Sequence, residues 1–129
     1  MTAKAVQNNL NERLIDFAAR VMTLCEVLPR TDSGNHLRGQ LLRSGTSPAA
    51  NYAEAQGAES CDDFIHKIKI AIKELRESEV WIKLIVRTKM INPESKIMPL
   101  LSECNELIAI LVKSIHTARK NSEKNLNVL

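Results

Sequence analysis

The sequence predicts an all-α fold, an antiparallel up-down four-helix bundle, on three observations. Aliphatic residues recur at alternating steps of four and three in four separate segments. The clusters of turn residues lie between those segments: Pro29 to Asn35, Gly57, and Asn92-Pro93. Leu, Ile, Ala, Lys and Glu dominate a chain poor in Gly and Pro, and most of these are good helix formers. With 129 residues the chain has the length of one domain, 1–129. Its aromatic residues are Trp81, Tyr52, Phe17 and Phe64, so the core must be largely aliphatic.

The first helix is expected over about 10–28. Leu10, Leu14, Phe17, Val21, Leu24 and Leu28 form its stripe, with Glu12, Arg13, Asp16 and Arg20 off it. Pro29 stops it and biases Leu28 towards extended backbone.

The second helix is expected over about 35–57, capped by Ser33 or Asn35 and ended by Gly57. Its stripe is Leu37, Leu41, Ser44, Pro48, Asn51 and Ala55, which turns from large to small and polar. The phase is kept on both sides of Pro48, which favours one helix bent there. The alternative is a break, with Ser47 as cap and Pro48 in the first helical position. Gly45, Ala49, Ala50 and Ala53 read as spacers that let another helix come close.

The third helix starts near Ser60, where Ser60-x-x-Asp63 matches a capping arrangement and Asp62 and Asp63 suit the positive helix end. Its stripe of Phe64, Ile68, Ala71, Leu75, Ser78, Ile82 and Ile85 runs without proline, so the helix is drawn over 61–90, about 45 Å long. The fourth is expected over about 94–121, with Ile97, Leu101, Cys104, Ile108, Leu111, Ile115 and Ala118 inward and a frayed tail after it. Helices three and four also carry apolar residues off the stripe: Ile65, Ile72, Trp81, Leu84 and Val86, then Leu100, Leu107, Ile110 and Val112. A wide core face takes some of these; the rest argue for a subunit interface.

Several function classes find little support. A di-metal carboxylate bundle needs paired Glu-x-x-His units, and Asp63 with His66 supplies only half of such a motif, so no metal or cofactor is expected. Ser44, Thr46 and Ser47 have no histidine tied to them by local spacing, and no catalytic residue is assigned. RSGTSPAAN lacks the second glycine, the lysine and the strand that a phosphate loop needs. Cys25, Cys61 and Cys104 are odd in number and widely spaced, which fits reduced side chains. The start has no secretory leader pattern and no run reaches membrane-span length, so the expected location is the cytoplasm, with no membrane partner.

The formal net charge of +3 permits an anionic partner without demanding one. Basic residues cluster at Arg38 and Arg43, at His66, Lys67, Lys69 and Lys73, at Lys83, Arg87 and Lys89, and late in helix four at Lys113, Arg119, Lys120 and Lys124. Lys73 and Glu77 have the spacing of an i,i+4 pair.

The stretch LRSGTSPAANYAEAQGAES, followed by DFIHKIKIAIKELRESEVWIKLI, resembles the family of proteins encoded in intervening sequences of bacterial large-subunit ribosomal RNA genes. The likeness rests on a Ser-rich turn before Ala-Asn-Tyr-Ala-Glu-Ala, then Asp-Phe, then Lys-Glu-x-x-Glu-Ser-x-x-Trp. It implies a four-helix bundle and a homo-oligomer, with ring-shaped pentamers among known relatives. The accessory proteins of diversity-generating retroelements have a similar fold, bind nucleic acid through a basic surface and partner a reverse transcriptase. The family carries over no catalytic residues.

The motif positions are Ser44, Ser47, Asn51, Glu54, Lys73, Glu74, Glu77, Ser78 and Trp81. Ser44, Asn51 and Ser78 fall on core stripes, so a polar network between helices two and three is expected. Glu54 and Glu77 as a paired-carboxylate site is the competing reading. The function expected is a non-enzymatic oligomeric scaffold that binds RNA or DNA, or a nucleic-acid enzyme, through Arg38, Arg43, Lys67, Lys69, Lys83, Arg87 and Lys120. The alternative is a protein–protein interaction module with no nucleic-acid role.

Overall fold

A computed structural model describes residues 2–128, with backbone alone for residues 3, 6–8 and 126–128. Its helices are α1 (Ala3–Val27), α2 (Asp32–Gln56), α3 (Cys61–Arg87) and α4 (Met98–Val128), with a 3₁₀ turn at Glu94–Lys96 before the last. No strand occurs among the described residues. Cross-helix bonds give the register. Asn11 reaches Gln56 and Arg38 reaches Cys25, and Ser44 meets Ser78 while Lys67 meets Glu54. Cys61 of α3 donates to the Ala118 carbonyl of α4, and Cys104 of α4 to the Leu75 carbonyl of α3. In each pair the contact positions descend along one helix as they ascend along the next. Arg13 and Glu103 tie α1 to α4.

The heptad stripes point inward. Leu14, Phe17, Val21, Leu41, Leu75, Ile82 and Leu111 are fully or almost fully buried. Leu24, Phe64, Leu101, Asn51 and Ala118 are only half-buried, and Tyr52 takes the inward place beside Asn51. Of the extra apolar residues, Ile72, Leu100 and Leu107 join the core, whereas Leu84 stays 39% exposed. The three cysteines are free. Burial pushes the Cys104 thiol up to about 12, and it donates to the Leu75 carbonyl.

Helix boundaries differ from the periodicity wherever a cap, not a stripe, sets them. α1 begins at Ala3 because Thr2 accepts from the Ala5 amide, ahead of any large apolar residue. α2 is capped by Thr31, whose hydroxyl accepts from Gly34, and not by Ser33 or Asn35. It runs unbroken through Pro48, so the break at Ser47 does not occur. Gly45 is the close-approach position: an added Cβ would lie 2.7 Å from a methyl of Val21 on α1. The fourth helix starts at Met98 and not at 94, and continues to Val128 through the segment expected to fray. Ser60 caps α3 as expected, accepting from Asp63.

α3 stops at Arg87 and not at Met90, through a C-terminal motif without glycine. Met90 donates to Ile85 and Lys89 to Val86, the paired bonds that close a Schellman end. Lys89 holds the left-handed position with φ 57. A β-carbon there costs energy that glycine avoids. Lys89→Gly is therefore expected to stabilise the protein by about 1 kcal/mol, read as a higher urea midpoint.

Candidate nucleic-acid interface

The second and third helices sort their charges by helical position. Glu74 and Glu77 lie on the side of α3 that faces α2, where Arg43 bonds both, at 2.8 and 2.6 Å. The guanidinium holds the Glu77 carboxyl below the usual carboxylate range. Glu54 pairs with Lys67 at 2.9 Å, and Glu79 with Lys83 of its own helix at 3.0 Å. The Lys73–Glu77 pair expected from spacing does not form, because Glu77 turns to Arg43 instead.

With those carboxylates occupied, the outward face of α3 is basic. Positions 69, 73, 76, 80, 83 and 87 recur on one side at helical spacing. They carry Lys69, Lys73, Arg76, Val80, Lys83 and Arg87, all exposed. Lys69 and Arg87 are eighteen residues apart in sequence, about 27 Å along the axis. At the Lys69 end, a shallow pocket of about 400 Å³ is lined by His66 of α3 and Arg119 of α4 together with Asp62 and Glu123.

The expected binding residues divide accordingly. Lys69, Lys83 and Arg87 stand on this row. Lys67 and Arg43 are exposed or half-buried at the α2–α3 seam and committed to carboxylates. Lys120 is exposed on α4, about 100° round that helix from Arg119. Arg38 is a different kind of residue. Its guanidinium donates to the carbonyls of Cys25, Leu28 and Pro29 and to Asn35 Oδ1, closing the end of α1. A single basic surface holding all seven is thus not what the fold builds. Two members of the row escaped the sequence reading as binding residues: Lys73 was assigned to the structural motif, and Arg76 carried no signal of its own. Helical phase, applied to charge as well as to apolar residues, places both.

The polar motif is mostly internal. Ser44 and Ser78 are fully buried and 2.8 Å apart, and Ser78 also donates to the Glu74 carbonyl. One hydroxyl carries one proton, so Ser44 donates to Ser78. Asn51 stays within α2, donating to the carbonyl and hydroxyl of Ser47 one turn back, so it is not part of the bridge to α3. Trp81 is half-buried and meets His36 edge-on at 6.1 Å, with its ring nitrogen buried and unpartnered among the described residues. Glu54 and Glu77 do not share a site: their cations, Lys67 and Arg43, are separate, and Lys67 lies ten residues, about 15 Å, from Glu77 along α3.

The family model described as 23S rRNA-intervening sequence protein matches residues 7–113. A solved structure from Bacteroides thetaiotaomicron, described as a protein of unknown function from the S23 ribosomal protein family, is similar at 35% identity. That match covers 82% of this chain and 97% of the other, with a TM-score of 0.76. No curated protein matches the chain.

Proposed function

The chain belongs to the 23S rRNA-intervening sequence protein family, and from that premise we propose a non-enzymatic cytoplasmic scaffold that self-associates and binds nucleic acid along α3. The observation that carries this reading is the row of Lys69, Lys73, Arg76, Lys83 and Arg87, with Glu74 and Glu77 turned aside to Arg43 and Glu79 held by Lys83. Point charges at one-turn intervals suit a phosphate backbone, which they hold without reading sequence. Self-association, with a pentamer as the expected ring, is supported by Ile15 and Met22, which share a face of α1 and are 52% and 51% exposed. A role without catalysis is supported by the motif hydroxyls and carboxylates, which are spent on Ser44–Ser78 and on the ion pairs of Arg43 and Lys67. No helix among the described residues is long and apolar enough to cross a membrane.

The test is anisotropy of a labelled RNA hairpin titrated with protein between about 50 and 200 mM KCl. If the row contacts four or five phosphates, log K falls with log salt at a slope near −4, a loss of several hundredfold over that range. The triple variant Lys69→Glu, Lys73→Glu, Arg76→Glu should lose at least about 100-fold at 50 mM with unchanged helicity. No binding by the parent at 50 mM, or equal binding by parent and variant, would falsify the proposal.

A further inference from the structure

Beyond the C-terminal end of α3, α1 and the segment joining α3 to α4 leave a groove of about 670 Å³. Leu24, Val27, Met90, Ile91, Ile97 and Leu100 line it. Arg20 on the α1 wall and Lys96 on the 3₁₀ wall also line it, and no Asp or Glu does. Neither cation forms an ion pair among the described residues, and both are exposed. Val27 is 64% exposed, the barest large apolar side chain described. The Schellman end of α3 contributes the shape, since it swings Met90 and Ile91 off the helix towards α1.

We infer that this groove docks an amphipathic helical segment of a protein partner whose apolar stripe is flanked by acidic side chains. The volume lies within the range of sites that bury a compact ligand. The apolar floor supplies the burial that a helix-in-groove contact needs. The two unpaired cations on facing walls select for carboxylates on both flanks of that helix and against a basic one. A nucleic acid strand would meet the cations but gain nothing from the floor, which separates this surface from the row on α3.

Two fluorescent two-heptad peptides with the same leucine stripe test it, one flanked by Glu and one by Lys. The Glu peptide should bind, shift the methyl resonances of Met90, Ile91 and Ile97, and lose at least tenfold in affinity against Arg20→Glu/Lys96→Glu. The Val27→Glu variant, altered at an exposed position, should fold normally and also lose the Glu peptide. Failure of the Glu peptide to bind at millimolar concentration, or equal binding of the Lys peptide, overturns the inference. So does a changed oligomer mass for Val27→Glu in sedimentation without peptide, because the groove would then be filled by a second copy.

Discussion

Gly34→Ala is expected to be among the most destabilising single-methyl additions in this protein. A Cβ built at Gly34 lies 1.9 Å from the carbonyl oxygen of Pro29 and 3.0 Å from its carbonyl carbon. Those are backbone atoms of a short turn, so no rotamer change relieves the contact; the turn or the start of α2 has to move. The Gly34 amide also completes the Thr31 cap, so that movement opens the cap as well. Overpacking of this kind costs about 3 kcal/mol or more, a fall in melting temperature on the order of 10 °C. Gly39→Ala is the control of opposite sign. Gly39 is exposed inside α2 with nothing within 4 Å of an added Cβ, so alanine should stabilise by about 0.5–1 kcal/mol. A loss at Gly39 as large as at Gly34 would mean that the Pro29 contact is not what sets the cost at Gly34.

Replacing Arg38 by Met should cost about 2–4 kcal/mol of folding stability while leaving nucleic-acid binding intact. α1 has no basic residue in its last turn, and its final carbonyls would otherwise face water or each other. Arg38 reaches across from α2 to supply that charge: Nε donates to Cys25 O at 2.9 Å and Nη2 to Leu28 O at 2.7 Å. Lys recovers little of this, because one ammonium cannot span carbonyls that the planar fork reaches together. Urea midpoints for Arg38→Met and Arg38→Lys, alongside hairpin anisotropy, check both halves. A stable Arg38→Met protein that no longer binds RNA would return Arg38 to the interface. The Pro29 carbonyl accepts from Arg38 and also blocks a side chain at Gly34. The two substitutions are therefore expected to be non-additive.

These two residues show where reading the sequence stopped. Gly34 sat in a turn cluster with no reading of its own, and its φ is not in the left-handed region; it is glycine because of a neighbour's carbonyl. Arg38 looked like one of several surface cations, but it is half-buried and bonded to backbone. Neither distinction has a local signal, since it depends on which atoms the α1–α2 turn brings together. The same holds for Glu77, whose i,i+4 spacing pointed to Lys73 and whose partner in space is Arg43.

By itself the sequence determined the four helices, most of their inward stripes and the Ser60 cap, and it favoured the unbroken course through Pro48. Those follow from periodicity and capping chemistry, which act over one or two turns and survive in the order of residues. Tertiary structure alone decided which cations are free. A charge is free only after every carboxylate and carbonyl within reach has taken its partner. That allocation runs between helices more than thirty positions apart, as in Arg43 with Glu74 and Glu77. On α3 that allocation leaves Lys69, Lys73, Arg76 and Arg87 exposed without a carboxylate among the described residues, with Lys83 holding Glu79 beside them.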